Sequence, residues 1–165
     1  MSDNRGRICR ELGQNTQKIM QKLINNDELI KLLYYTDKDP LSHEALTSEQ
    51  KQEFVFNKLI RVIPKLMPQE TSNSTVVIML HDGKELENSE FRTIVFTIEV
   101  FVPITQWLIK DADLRPFAIM GEIMNSLCGA TINGLGHIDG GDFAYNYGTD
   151  EITCYKMLFY VTAYA

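Results

Sequence analysis

The chain has 165 residues, 44% of them hydrophobic and 23% charged, with 10 Gly and 5 Pro, too apolar for a disordered chain and too poor in Gly and Pro for a fibrous one. A chain of this length buries roughly 70% of the surface its unfolded form exposes, enough for a core of its own. Its net charge is −6, from 22 acidic and 16 basic residues, and its longest basic cluster, Arg5, Arg7 and Arg10, is interrupted at Glu11; such a chain is a poor candidate for neutralising phosphates, so DNA is disfavoured as its main ligand.

Met1-Ser2-Asp3-Asn4 lacks the apolar core of an export signal, and no uncharged apolar run approaches the roughly 20 residues of a membrane span. The expectation is a protein made in a cytoplasm that has no membrane partner. Cys9, Cys128 and Cys154 are odd in number and form no CxxC pair, which argues against a disulfide framework and a cysteine zinc site.

In chain order, Ile8, Leu12, Thr16, Ile19 and Leu23 recur every three or four residues, predicting a helix from about Gly6 to Ile24 with one mostly apolar stripe. Asn25-Asn26 ends it, and Asp27 is expected to cap a short helix carrying Leu29, Ile30, Leu32 and Leu33. Thr36 to Leu41 reads as a turn, because Pro40 disfavours a helical Asp39. Thr47-Ser-Glu-Gln50 has the form of a capping box and predicts a helix through about Asn57.

The remainder is rich in strands. Thr75 to Leu80 predicts one that stops at His81-Asp82-Gly83, and Phe91 to Val102 alternates cleanly, with Ile94, Phe96, Ile98 and Val100 on one face. The connection between them, with Lys84, Glu85, Glu87 and Glu90, suits an exposed hairpin joining antiparallel neighbours. A loop with Trp107 follows Pro103. A helix then starts near Pro116, buries Ile119, Met120, Ile123 and Leu127, and is expected to be capped by Gly129. After a Gly-rich connection, Ile152 to Tyr164 alternates as a long strand, with short extra strands near Thr131 and Phe143. Helices followed by β-β-α-β predict an α+β domain, its mostly antiparallel sheet packed by helices. Residues 1–26 form a helical extension and 27–165 a single domain.

Candidate chemistry is sparse. His137, Asp139 and Asp142 share a Gly-rich segment, but their spacing matches no metal-loop template. Asn133-Gly-Leu-Gly136 follows a helix instead of a strand, the wrong order for a dinucleotide loop. The three Cys and His43, His81 and His137 lack the context of an activated nucleophile. The expectation is a non-enzyme that needs no cofactor and no metal. What points outward is aromatic: Tyr145, Tyr147, Tyr155, Tyr160 and Tyr164 crowd the final stretch with Phe143 and Phe159, and Trp107 sits among polar loop residues. Trp107, Lys110, Asp111, Asp113, Tyr145 and Tyr147 are the expected subunit or partner interface.

The segment from Asn26 to Leu41 resembles the small neck and tail-completion proteins of tailed bacteriophages. Val100-Phe-Val-Pro103, Trp107-Leu-Ile-Lys110, Leu114-Arg-Pro116, Ile132-Asn-Gly-Leu-Gly136 and Gly148-Thr-Asp-Glu-Ile-Thr153 are similar to the same proteins. The order of elements is most similar to tail terminators, with the helix before Asp27 as a departure. This resemblance implies a virion protein of the head–tail junction, a self-associating ring, commonly a hexamer. The ring would cap the tail, contact neighbouring neck and tail-tube proteins, and let DNA pass without sequence-specific binding. Acidic composition suits such a channel, and Lys84, Glu85, Glu87 and Glu90 are then expected to face the lumen or a neighbour. A head-closure, connector or tail-tube-like ring is the alternative. A small cytoplasmic enzyme or ligand-binding domain is the reading from another class.

Overall fold

A computed structural model describes residues 5–62, 72–85 and 91–164. Helix α1 spans Arg5–Ile24 and buries Ile19, Met20, Leu23 and Ile24 in the main core. Thr16, the polar interruption of its stripe, is buried too, because its hydroxyl donates to the Leu12 carbonyl one turn back at 2.8 Å. Helix α2, Asp27–Tyr34, buries Leu29, Ile30, Leu32 and Leu33. Its cap is Asn26, not Asp27: Asn26 Oδ1 accepts from the Leu29 N–H at 3.0 Å. The Asn26 amide also donates to Glu122 Oε2 at 2.9 Å and Ser126 Oγ at 2.8 Å, tying the helix start to a later helix. A carboxylate at the cap would lack those donors.

The Thr47–Gln50 capping box forms as expected and starts helix α3, Ser48–Gln50. The chain then widens into a single π turn, Lys51–Val55, so the helix stops short of Asn57. Helix α4, Arg115–Leu127, buries Ile119, Met120, Ile123 and Leu127. Gly129 takes the left-handed φ of 72° expected after a helix, but its N–H donates to Ile138 in the sheet and not back to α4.

Six strands form one sheet: β1 (Ile60–Arg61), β2 (Thr75–Glu85), β3 (Phe91–Pro103), β4 (Thr131–Ile132), β5 (Gly136–Gly148) and β6 (Ile152–Tyr164). Their spatial order is β1-β2-β3-β6-β5-β4, antiparallel except for β1 with β2. Together with the helices this is the expected α+β architecture.

Two expectations fail on bulges. Strand β2 continues through His81-Asp82-Gly83 to Glu85, because a register shift between Leu80 and Asp82 absorbs one residue and pairing resumes at Asp82 with Val95. Lys84 and Glu85 therefore pair with Thr93 and Arg92 and are not connection residues. The stretch from Gly136, read as connection plus a short strand, is instead the 13-residue β5, with register shifts at Gly140/Asp142 and Tyr145/Tyr147. Its glycines are needed where they stand. At Gly140, with φ of 108°, a Cβ would lie 2.7 Å from the Leu158 carbonyl oxygen.

Val76, Ile78, Phe96, Ile98, Val100, Met157, Phe159 and Val161 face the helices and form the core with them. Phe96 and Phe159 stack there at 5.3 Å. Val77, Phe101, Ile152 and Cys154 form a second, smaller cluster on the opposite face, to which no helix contributes among the described residues.

Candidate functional site

The Trp107 loop leaves β3 through a 3-10 turn, Ile104–Gln106, and a second one, Lys110–Ala112, in which Asp111 is left-handed at φ 61°. The loop is fastened to the domain. Gln106 is buried, accepting from Ser74 Oγ at 3.3 Å and donating to the Ser72 carbonyl. Trp107 is half-buried against the core, and its Nε1–H donates to Thr153 Oγ1 at 2.8 Å. The Lys110 N–H donates to the Lys38 carbonyl at 2.6 Å and its Nζ to Asp39 Oδ2 at 2.9 Å; that carboxylate raises the Lys110 pKa.

The fastening centres on Arg115, which is fully buried at the start of α4. Its guanidinium donates to the carbonyls of Gln106 at 2.9 Å, Leu32 at 2.6 Å and Tyr35 at 2.7 Å, and to that of Asp37. It thereby satisfies two carbonyls released by the end of α2 and locks the turn after it to the Trp107 loop. Burial lowers the Arg115 pKa, and the nearby Asp37 carboxylate opposes that shift. Asp37 in turn accepts from the Asp39 N–H at 2.8 Å and pairs with His43 Nε2 at 2.7 Å, and both hold its own pKa down, the Asp39 bond most. His43 stacks on Tyr35 at 4.1 Å. Sequence reasoning gave Arg115 no role. The available signal was a cation in the first turn of a helix, where the macrodipole opposes it.

Next to this fastened loop lies a strip of exposed rings. Tyr155 is its hub, 6.4 Å from Trp107, 5.5 Å from Phe117 and 5.6 Å from Tyr145, and Phe117 reaches Phe143 at 6.5 Å. Phe117, Phe143 and Tyr145 are 41%, 52% and 57% exposed, although large apolar groups gain most from burial. The structure thus joins Trp107 to Tyr145 through Tyr155. Tyr147 falls on the other face of the sheet, against Phe101 at 6.1 Å, because the bulge at Tyr145/Tyr147 flips the alternation. Asp111 and Asp113 are exposed at the loop tip.

The sequence model of the YomW family matches residues 26–161. The chain belongs to the YomW family. That family is phage-derived. No curated protein matches the chain.

The match takes in the whole sheet nearly to the end of β6 and begins just after α1, although the second half of α1 lies in the shared core. In this YomW-family chain, His137 Nε2 lies 3.4 Å from Asp139 Oδ1, both exposed on β5. Among the described residues, no three His, Cys, Asp or Glu side chains are grouped to hold a metal ion. Cys154 is buried in the small cluster, and burial is the main cause that pushes its thiol up to about 12. Cys128, just past the end of α4, is exposed; its thiol is also raised and donates to the Gly140 carbonyl at 3.5 Å. Both shifts oppose the thiolate that nucleophilic chemistry requires. Glu87 and Glu90 lie outside the described residues. No helix among those described is long and apolar enough to cross a membrane.

Proposed function

We propose that this YomW-family protein is a non-enzymatic structural component of the phage virion, a ring at the head–tail junction that caps the tail as a terminator and joins it to the head connector. The observation that carries the proposal is an aromatic strip left exposed on a rigid sheet flank in a chain of a phage-derived family. A surface of that composition favours protein association, since aromatic residues are enriched where partners meet. The tied-down Trp107 loop supports the same reading, because a contact surface that is already ordered loses little entropy on docking.

In this reading the copies are related by six-fold rotation or a multiple of it. They contact neck and tail-tube proteins, and DNA passes through without sequence-specific contacts. The net charge of −6 supports a weak hold on the phosphate backbone. The protein would be made in the host cytoplasm and end in the particle. Electron microscopy of virions labelled on this chain tests the reading, with native mass spectrometry of the assembled protein. Label at the neck and a closed oligomer of six or a multiple are expected. Label along the whole tail would turn the reading to a tail-tube relative, and absence from the virion would overturn it.

A further inference from the structure

The pairing registers place one row of residues straight across the sheet: Ile60, Val76, Val100, Tyr155 and Tyr145. At one end of that row stands the exposed strip of Phe117, Phe143 and Tyr145. At the other, β1 is bridged to Phe56, and the π turn before it carries Phe54, which is 36% exposed and packed only against Tyr34 among the ring contacts described. An exposed aromatic strip on one flank and, on the other, the exposed Phe54 beside the half-buried Phe56 therefore form two unlike aromatic patches at the same height along the strands. Phe117 and Phe54 also belong to the helical layer, so both patches lie toward the same side of the sheet.

The edges beside the patches differ in outline. Strand β4 covers β5 only at Gly136 and His137, while β1 covers β2 only at Val76 and Val77. Along the strands, β4 lies level with Lys84 and β1 level with Tyr145. Among the described residues each flank is thus a step, and the steps are inverse. The open part of β5, Gly140 to Gly148, contains no Lys, Arg or Pro, the residues that guard a free edge against pairing. Charge follows the same division. Asp142, Asp150 and Glu151 are exposed on the β5 flank, whereas Lys58 is exposed and Arg61 half-exposed on the β1 flank, with Glu53 as the opposing acid.

We propose that the occupant of the aromatic β5 flank is the β1 flank of a second copy of this chain, Phe117, Phe143 and Tyr145 of one copy packing on Phe54 and Phe56 of the next. This rests on the ring reading and deepens it by assigning the lateral contact. Two unlike patches make the contact heterologous, so it repeats from copy to copy. Because the patches are level, successive copies gain no rise along the strands, which is the condition a closed ring needs about an axis parallel to them. The inverse steps let β4 of one copy stand above β1 of the next without collision.

Tyr145→Asp and Phe54→Asp, made separately in the full chain, test this, with sedimentation equilibrium as the readout and thermal melting as a folding control. Each variant alone should associate about 30-fold more weakly than wild type, the loss expected for a central interface ring. Mixed in equal amounts, the two should form a one-to-one dimer that grows no further, because each supplies the flank the other lacks. Wild-type oligomers insensitive to both substitutions would overturn this contact and leave the ring reading standing. A two-fold dimer abolished by Tyr145→Asp but untouched by Phe54→Asp would overturn the contact and the lateral ring together. Wild-type protein that stays monomeric up to roughly millimolar concentration, where even the weakest specific contacts register, would overturn the contact, with virion labelling still deciding the ring.

Discussion

The row from Val100 to Tyr145 crosses two regions that obey opposite rules. Under α1, α2 and α4 the sheet carries Val100, Phe96 and Phe159, all fully buried. Two strands further along, the same face carries Phe143 and Tyr145 with more than half of each residue in solvent. The side chains are of the same kind; what differs is the helical layer, which ends at Phe117. The buried region accounts for the stability of the monomer. The exposed region is surface that the monomer does not use, and its composition is that of a core awaiting a partner.

The comparison can be broken most severely at Arg115, where the two regions meet. Arg115→Met should destabilise the chain by about 3–5 kcal/mol in urea unfolding, because it strands carbonyls of Leu32, Tyr35, Asp37 and Gln106 that accept no other hydrogen bond among the described residues. Arg115→Lys should recover little, since a single ammonium cannot reach four acceptors. Phe96→Ala comes next, at about 3–4 kcal/mol, from lost burial and the cavity left beside Phe159.

Trp107→Ala should cost about 2 kcal/mol, less than a core ring, since Trp107 is only half-buried and loses one hydrogen bond to Thr153. A melting temperature unchanged in that variant would return Trp107 to the exposed region. Thr97→Val sharpens the comparison from the other face. Its hydroxyl is buried without a partner among the described residues, so the isosteric apolar side chain should stabilise by about 1 kcal/mol. Tyr145→Ser should change monomer stability least, within about 0.5 kcal/mol. A loss there as large as that of Phe96→Ala would erase the distinction.

The buried region was legible in the sequence and the exposed one only partly. Strands β3 and β6 follow from alternation alone, because one face packs under the helices while much of the other stays half-open, so every second residue is apolar. Strand β5 was hidden by Gly134, Gly136, Gly140 and Gly141, which read as a loop. Gly136 and Gly140 are there because β5 approaches β6 too closely for a side chain: a Cβ at Gly136 would lie 2.5 Å from the Thr162 carbonyl oxygen. Its bulges also carried Tyr147 to the wrong face for a common site with Tyr145. Trp107, Tyr145 and Lys110 were singled out for composition; the structure gives two of them internal partners, Thr153 and Asp39. Arg115 escaped notice because all its acceptors are main-chain carbonyls and three of the four, those of Leu32, Tyr35 and Asp37, lie about 80 residues away, which no local pattern encodes.

Strand β6 lies in the middle of the sheet, between β3 and β5, yet follows every strand it joins. Phe91 pairs with Tyr164 and Gly148 with Thr153, so the join combines a distant partner with a local one. While the chain is being made, the β2–β3 hairpin and the β4–β5 pair each present a bare edge until β6 emerges to bridge them. Long-range pairing of this kind is slow, and half-sheets with bare edges are the species that aggregate. The time between synthesis of β5 and docking of β6 is therefore the vulnerable interval in the life of this protein, and the yield of folded chain should fall first under conditions that lengthen it.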